Sequence, residues 1–465
     1  MTPSQTSADI EDKKFDAAFN SVLHMDKKDY PCYVGGLKIA SGSEFVVRSP
    51  VDESIQFGKF QEPEDGLPDR AAETAAAAFR KWSVTDPQKR AEIFDKALDI
   101  IKKQRYRIAA AVTISSGMTR EDATYEAERL IKVTEDGIGK VKEGMKGRPI
   151  GAWAVISEYN SPLAAPIGYA VSAMLAGNTV IIIPPKECPY PVYMIYDILV
   201  SAGLPDGVLN IIFDSKGKAA SALADNENIK GIAATGRSDR FEELMFAAVD
   251  DELTFISEFK GMNPLVIYRP QSMQAAAEIA IDSAFGYAGQ RMDSCSKVII
   301  TVNEQKQFID HLLTAAKKIT VGDPAEPGVH VGPVISKRSM DNFLNIVKEN
   351  KDSLIFGGKK VVSEETEAGC YVMPAIFAGL SGDSELNGMD HSLPILSVQM
   401  VSDIDEAVEA ANECEFGSSM GILSKDQKVI ERFLKDAGSD AVYVNGSSRI
   451  IGTAVKADAE AFLKR

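Results

Sequence analysis

Short apolar segments that alternate with helical segments constrain the fold of this chain more than any other feature. The run 179–183 is almost wholly apolar and rich in β-branched side chains, which is typical of a strand buried on both faces. Helical patterns precede it at 163–175 and follow it at 191–202. Because strands joined through helices pair in parallel, the pattern predicts a doubly wound, nucleotide-binding type of α/β domain.

The same alternation begins again after residue 255, so the sequence predicts a second α/β domain. A chain of 465 residues is too long for one core. We therefore expect an N-terminal domain at 1–254, a second domain at 255–445 and a short C-terminal segment at 446–465. A ligand cleft is expected between the two domains. The second domain's predicted strands are 264–268, 297–302, 353–356, 372–377, 396–400 and 441–444.

Composition excludes several classes of function. The net charge of -16 argues against a nucleic-acid partner. No apolar run is long enough to cross a bilayer, and the polar, acidic N-terminus is unlike a signal or transit peptide. The five cysteines and four histidines are scattered without paired spacing. This pattern predicts a cytoplasmic protein without disulfides or a metal site.

Two residues have side chains suited to carbonyl chemistry. Asn160 follows a predicted strand and precedes a predicted helix, where its amide can donate to a developing oxyanion. A turn asparagine that bonds its own backbone is the alternative. Glu258 lies near a predicted strand end, where a carboxylate can act as a general base for water. An ion-paired or solvated glutamate is the alternative there.

The order of these motifs along the chain resembles the aldehyde dehydrogenase family. The loop 286–290 with Cys295 and Ser296 downstream is most similar to the pyrroline-5-carboxylate (glutamate semialdehyde) dehydrogenase branch. So many ordered matches specify a fold in a way that one glycine motif does not. The matching segments are 149–156, 159–162, 175–180, 202–210, 235–236, 258–264, 286–290, 321–324, 332–335 and 393–395.

The resemblance implies a fold of two Rossmann-type domains and a defined reaction. In the family, a thiolate attacks a small aldehyde while the residue matching Asn160 holds the oxyanion. Hydride then passes to NAD or NADP. The residue matching Glu258 activates the water that releases the carboxylate product. The covalent thioester divides one difficult oxidation into two easier steps.

Met292 departs from the family, because the catalytic cysteine normally stands at this position, two residues after the glutamine that matches Gln290. A thioether has no proton to lose and cannot become a thiolate nucleophile. Cys295 lies three residues further on. We expect it to be an inert, packed cysteine rather than a substitute, since small misplacements of a nucleophile are costly.

The residues that match the cofactor site also depart from the family. Isoleucine at 183 replaces the usual lysine, and Lys186 replaces the usual carboxylate that holds the adenosine ribose. Arg237 follows Gly236 where the family usually has a small serine, so it either clamps a phosphate or, as we favour, fills the groove. Asp390 stands in the place of a longer glutamate that binds the nicotinamide ribose. NAD(P) binding is therefore in doubt.

Both oligomer-forming elements of the family look reduced, near 134–149 and in the tail 446–465. The sequence favours a non-catalytic family member with a binding or scaffold role, which can hold a small aldehyde or carboxylate and can form a homodimer. An active NAD(P)-dependent aldehyde or glutamate-semialdehyde dehydrogenase is the alternative. Hydrolysis without a cofactor is a third hypothesis that no residue supports positively.

Overall fold

The structure is a computed structural model that describes residues 7–250, 253–380, 384–414, 418–439, 441–451 and 456–464. Its helices are α1 (Ser7–Leu23), α2 (Leu67–Trp82), α3 (Pro87–Ser116), α4 (Arg120–Glu143), α5 (Ala164–Leu175), α6 (Tyr190–Ser201), α7 (Lys218–Ala224), α8 (Ser238–Asp250), α9 (Met273–Phe285), α10 (Val302–Ala316), α11 (Lys337–Glu349), α12 (Glu385–Gly388), α13 (Ile404–Asn412) and α14 (Gln427–Asp436). In the described part of the chain, no helix is long and apolar enough to cross a bilayer.

The strands of the first half are β1 (Lys28–Tyr30), β2 (Cys32–Val34), β3 (Leu37–Ile39), β4 (Glu44–Arg48), β5 (Gln56–Gln61), β6 (Arg148–Pro149), β7 (Ala152–Ser157), β8 (Thr179–Ile183), β9 (Leu209–Ile211), β10 (Ile229–Arg237) and β11 (Thr254–Lys260). Those of the second half are β12 (Leu265–Ile267), β13 (Lys297–Thr301), β14 (Leu354–Phe356), β15 (Lys359–Lys360), β16 (Val372–Met373), β17 (Ala375–Ala378), β18 (Ile395–Val401), β19 (Ser419–Leu423), β20 (Ala441–Val444) and β21 (Leu463–Lys464).

The first large sheet has the strand order β11-β10-β7-β8-β9-β2-β3. Its strands β7 to β11 pair in parallel, and β7 to β10 are largely buried, as the apolar runs predict. The antiparallel strands β2 and β3 close one edge. The predicted domain boundary after residue 254 falls just inside β11, and β11 pairs with β10 in this first sheet. The second sheet begins with β12.

The second sheet has the order β14-β17-β18-β13-β12-β19-β20. All of its neighbouring pairs are parallel except β14 with β17. The chain therefore has the mixed α/β architecture, with two mainly parallel sheets, that the sequence predicts. Since ligands of such sheets bind outside the carboxyl ends of the strands, those ends locate the candidate site.

The C-terminal segment returns to the first half of the molecule. The short strand β21 pairs antiparallel with β6, in the segment 134–149 that also holds the end of α4. The Phe462 ring is fully buried against Trp153, with ring centroids 4.6 Å apart. The Asn178 side chain donates to the Phe462 carbonyl oxygen at 2.9 Å. The C-terminal segment therefore forms part of the hydrophobic core around the first sheet.

Candidate active site

Parallel pairing of β10 with β7 and β11 brings the predicted residues to one edge of the first sheet. Thr235 on β10 lies opposite Ser157 on one side and Glu258 on the other. Arg237 is opposite Lys260 at the strand ends. The chain leaves β7 toward Asn160 at the same edge. The structure thus groups Asn160, Glu258 and the 236–237 segment in one crevice.

A strained loop after α9 carries Met292 into this crevice. Tyr287 and Ala288 adopt left-handed backbone conformations, with φ of 49° and 51°, which non-glycine residues rarely adopt. Gly289 also has positive φ, and a Cβ there would lie 2.4 Å from the Leu393 carbonyl oxygen. The Asn263 side chain donates to the Met292 carbonyl oxygen at 2.8 Å. These contacts hold the loop in one conformation.

The Met292 side chain is buried, with 2% of its surface exposed. The Thr235 hydroxyl donates a hydrogen bond to the Met292 sulfur, at 3.7 Å. A thioether is only a weak acceptor, so this contact fixes the side chain without activating it. Met292 therefore occupies the centre of the crevice as an apolar group.

Both hydrogens of the Asn160 amide are engaged within the protein. Its Nδ2 donates to the Gln290 carbonyl oxygen at 2.7 Å and lies 3.3 Å from the Ser392 hydroxyl. The residue is fully buried, and its Oδ1 has no partner among the described residues. An oxyanion at this site would need to displace one of these two bonds.

The Glu258 carboxylate is covered by the C-terminal segment. The backbone N–H of Lys456 donates to Glu258 Oε1. Burial raises the pKa of Glu258, and this N–H opposes the shift only in part. A carboxyl group that is buried and capped in this way is held away from water.

Lys260 is a site residue that the sequence patterns did not identify. Its fully buried ammonium group lies 2.7 Å from the Asp390 carboxylate. Asp390 Oδ1 also accepts from the Ser296 hydroxyl at 2.5 Å, and Oδ2 accepts from the Ser392 N–H at 2.9 Å. Burial raises the pKa of Asp390, but the Lys260 ammonium and these hydrogen bonds outweigh it and lower the pKa overall. The two residues of this pair are 130 positions apart in the sequence, so only the folded structure reveals their contact.

The remaining predicted cofactor residues lie at or just beyond the ends of two strands of the first sheet, β10 and β8. Gly236 has a positive φ of 148°, and a Cβ there would meet the Glu158 side chain at 2.8 Å. The Arg237 N–H donates to the Glu158 carboxylate at 3.0 Å, and its guanidinium is 3.5 Å from the His391 carbonyl oxygen. Lys186 is exposed beyond the end of β8, outside this group.

A separate cavity of about 420 Å³ lies beside the Met292 loop, and its lining includes the two chain neighbours of Met292. Arg291 donates to the Asp293 carboxylate at 2.7 Å, and Arg449 donates to Asp122 at 2.8 Å. Asp122 also accepts the Tyr287 N–H at 3.0 Å. The sequence patterns did not identify this charged cluster, because its members come from segments far apart in the chain.

No cluster of three or more histidine, cysteine, aspartate or glutamate side chains suited to a metal ion occurs within the described ranges. All five cysteines are free and buried. Cys295 donates its thiol hydrogen to the Lys297 carbonyl oxygen at 3.2 Å. Burial raises the pKa of Cys295 to about 12, so its thiol stays protonated at neutral pH.

Sequence comparison gives this geometry a family context. The model of the aldehyde dehydrogenase family matches residues 38–455. The 1-pyrroline-5-carboxylate dehydrogenase of Geobacillus kaustophilus is 27% identical over 93% of this chain and 87% of its own length. The alpha-ketoglutaric semialdehyde dehydrogenase of Bacillus subtilis is 28% identical over 91% of each chain. The 2,5-dioxopentanoate dehydrogenase of Saccharolobus solfataricus is 28% identical over 87% of this chain and 88% of its own.

Solved structures share the fold at lower identity. A variant of Thermus thermophilus 1-pyrroline-5-carboxylate dehydrogenase superposes with a TM-score of 0.90 at 22% identity, over 99% of this chain and 96% of the other. A Thermus 1-pyrroline-5-carboxylate dehydrogenase with bound NAD superposes with a TM-score of 0.87 at 23% identity, over 96% of this chain and 90% of the other.

Proposed function

Since this chain belongs to the aldehyde dehydrogenase family, we propose that it is a non-catalytic member that keeps the fold as a binding or scaffold protein. The observation that carries the proposal is Met292 at the centre of the crevice. The family's covalent chemistry needs a nucleophile that attacks the aldehyde carbon and is later released from the thioester. The thioether of a methionine cannot form that thioester.

The side chains beside Met292 do not replace the missing thiol. The Cys295 thiol bonds the Lys297 carbonyl oxygen and has a raised pKa. The Asp293 carboxylate is paired with Arg291. The Ser294 hydroxyl is buried and has no partner among the described residues, so nothing there activates it as a base would.

The residues around Asp390 do not fit the nicotinamide half of NAD(P). By resemblance, a carboxylate here accepts hydrogen bonds from the ribose hydroxyls. In this chain Lys260, Ser296 and Ser392 already occupy both oxygens of Asp390. A ribose would need to break a buried ion pair, and removing one partner of such a pair costs about 3–5 kcal/mol. We therefore assign no step of a reaction to this cofactor.

Glu258 and Asn160 support the same proposal. Both match residues that act in the family's reaction, yet here the Glu258 carboxylate and the Asn160 amide hydrogens bond to the protein itself. Glu258 is capped by the Lys456 N–H, and Asn160 donates to the loop that carries Met292. We propose that both serve the structure of the crevice rather than catalysis.

An active NAD(P)-dependent aldehyde or glutamate-semialdehyde dehydrogenase remains the second candidate. The names of the relatives favour it, since several are 1-pyrroline-5-carboxylate dehydrogenases matched over most of this chain. It requires a nucleophile other than a thiolate at residue 292.

Turnover measurements separate the two candidates. Purified protein is assayed with NAD or NADP and a series of aldehydes that includes glutamate semialdehyde. We expect the same background rate from the wild type and from Met292→Ala, because neither side chain is a nucleophile. A wild-type rate of about 1 s⁻¹ or more, lost in Met292→Ala, would overturn the proposal.

Thermal shift with each dinucleotide tests the cofactor site independently. We expect no stabilisation of the wild type by NAD or NADP. Lys260→Gly frees the Asp390 carboxylate, and a gain of stabilisation in this variant would identify Lys260 as the blocking group. Equal stabilisation of both proteins would contradict the blocked site.

The proposal also covers the protein's location in the cell and its assembly. Five free, buried cysteines suit a reducing compartment, and we place the protein in the cytoplasm. A homodimer is our expectation for the assembly, and light scattering of the purified chain measures it directly. A monomer at all concentrations would remove the dimer from the proposal.

A further inference from the structure

We propose that the cavity beside the Met292 loop binds a small organic amine that also carries a hydroxyl or carbonyl oxygen. The cavity, of about 420 Å³, lies between α1, α4 and the loop 291–293. Small-molecule sites commonly measure roughly 300–1,000 Å³. The inference rests on the proposed function, because it treats this cavity as a binding site in its own right.

The positive charge in the cavity wall is already neutralised. Three arginines line the cavity, and each contacts two carboxylates: Arg120 with Asp12 and Asp16, Arg291 with Asp122 and Asp293, and Arg449 with Asp122 and Asp282. Five carboxylates therefore face three guanidinium groups. An incoming anion finds no uncompensated cation here.

Further carboxylates make the cavity acidic. Glu11, Glu121 and Glu128 also line it, and all three are exposed to solvent. None of them has a hydrogen-bonded or ion-paired side-chain partner within the described ranges. Their charge lies at the mouth of a concave site with apolar walls, where it attracts cations from solution.

Aromatic rings in the wall add to this preference for a cation. The chain already places its own arginines over two of them: the Arg120 guanidinium is 4.8 Å from the Phe15 ring centroid, and the Arg105 guanidinium is 4.3 Å from that of Tyr106. Tyr125 also lines the cavity and is 42% exposed. Its ring provides a surface over which a ligand's ammonium group can lie.

Arg291, at the inner end of the cavity, favours a ligand that carries an oxygen atom. The residue is 6% exposed, and its Nη2 has no acceptor among the described residues. A buried guanidinium N–H without an acceptor is unfavourable, so an oxygen atom of a ligand gains by bonding it. The ligand therefore combines an amine near the acidic mouth with an oxygen near Arg291.

This chemistry differs from the compounds in the names of the relatives. 1-Pyrroline-5-carboxylate and 2,5-dioxopentanoate both carry a carboxylate. A small carboxylate would meet the excess negative charge of this cavity without a free cation to bind. The cavity thus selects for positive charge.

Calorimetric titration of the full-length protein at low salt tests the inference with three five-carbon probes. The probes are 5-amino-1-pentanol, pentylamine and glutarate, without any dinucleotide. We expect the amino alcohol to bind more tightly than pentylamine and glutarate not to bind. Absence of amine binding, or glutarate binding of equal strength, would overturn the inference. Aldehyde turnover is assayed separately, because turnover would contradict the proposed function whereas absence of amine binding would contradict this inference.

Variants of the cavity locate the binding site. Glu121→Gln combined with Glu128→Gln removes two charges at the mouth and should weaken both amines by about threefold to tenfold. Glu143→Gln is the control, because it lies at the far end of the same helix, α4, outside the cavity lining. If the double variant and the control changed the affinity for the amines equally, the cavity would not be the binding site.

Arg291→Lys tests the oxygen requirement. A lysine keeps the positive charge beside Asp293 but removes the guanidinium Nη2, so the advantage of 5-amino-1-pentanol over pentylamine should disappear. The binding of pentylamine serves as the internal control for folding and for the charge of the mouth. An unchanged advantage of the amino alcohol would contradict the role of Arg291.

Discussion

Two regions that adjoin the Met292 loop carry buried charge in opposite ways. On the ion-pair side, formed by Lys260, Asp390, Ser296 and Ser392, one cation meets one carboxylate and both oxygens are satisfied. On the cavity side, two arginines share Asp122, and further carboxylates face open space. We propose that the ion-pair side holds no ligand because its charges are paired internally, whereas the carboxylates on the cavity side can bind one.

Asp390→Asn should have the largest effect, because it leaves the Lys260 ammonium buried without a counter-ion. We expect a loss of about 3–5 kcal/mol in the free energy of unfolding, measured by urea denaturation. Asp405→Asn is the matched control, since Asp405 pairs with Arg432 on the surface and is 65% exposed. That change should cost no more than about 1 kcal/mol. Similar losses from the two variants would refute the importance of the buried pair.

Arg449→Gln should have a smaller effect on the cavity side. Asp122 keeps the Tyr287 N–H at 3.0 Å and the Arg291 guanidinium at 3.7 Å when Arg449 is removed. Arg449 is also partly exposed, which reduces the value of its ion pairs. We expect a loss of about 1 kcal/mol in urea denaturation. A loss as large as that of Asp390→Asn would erase the contrast between the two sides.

Glu258→Gln should have a modest effect that depends on pH. Because burial raises the pKa of Glu258, the folded protein favours the protonated carboxyl group. That contribution is present at low pH and is lost as the pH rises through the folded-state pKa. The glutamine variant should therefore gain thermal stability relative to the wild type over the range from the ordinary glutamate pKa of about 4.3 up to the pH at which the folded carboxyl group has ionised. A constant difference across this range would mean that Glu258 does not titrate as described.

Lys186→Ala should have the smallest effect, although the sequence predicts that Lys186 belongs to the cofactor site. The residue is exposed and lies outside the ion-pair side. We expect a change of at most about 0.5 kcal/mol in the free energy of unfolding. If a dinucleotide stabilised the wild type and not this variant, the ion-pair side would not be the element that governs cofactor binding.

Local patterns in the sequence predict strands of both large sheets. The predicted strand 179–183 coincides with β8, and the predicted strand 441–444 coincides with β20. Both are short apolar runs whose burial on two faces leaves a clear pattern. The helix α4 and the strand β19 were not predicted. The buried residues of α4 recur every three or four positions, as Ala123, Ala127 and Leu130 show, so the sequence does carry its helical pattern. The strand β19 is short and Gly421 interrupts it, so it leaves little local pattern.

The candidate site is predicted only where it resembles a family motif. Asn160, Glu258 and Met292 each stand in such a motif, and the structure brings all three to one crevice. The Lys260–Asp390 pair joins residues 130 positions apart, and the Asp122–Arg449 pair joins residues 327 positions apart. No single window of sequence contains either pair, so their partners appear only once the chain has folded.

The placement of Phe462 ties folding to synthesis. Its carbonyl oxygen accepts from Asn178, a residue made 284 positions earlier. At roughly 5–20 residues per second, a ribosome needs tens of seconds to cover that distance. During this interval the apolar slot beside Trp153 has no side chain to fill it. The first half of the nascent chain thus emerges with an unfilled hydrophobic gap, which makes it a candidate client for a chaperone until Phe462 has been synthesised.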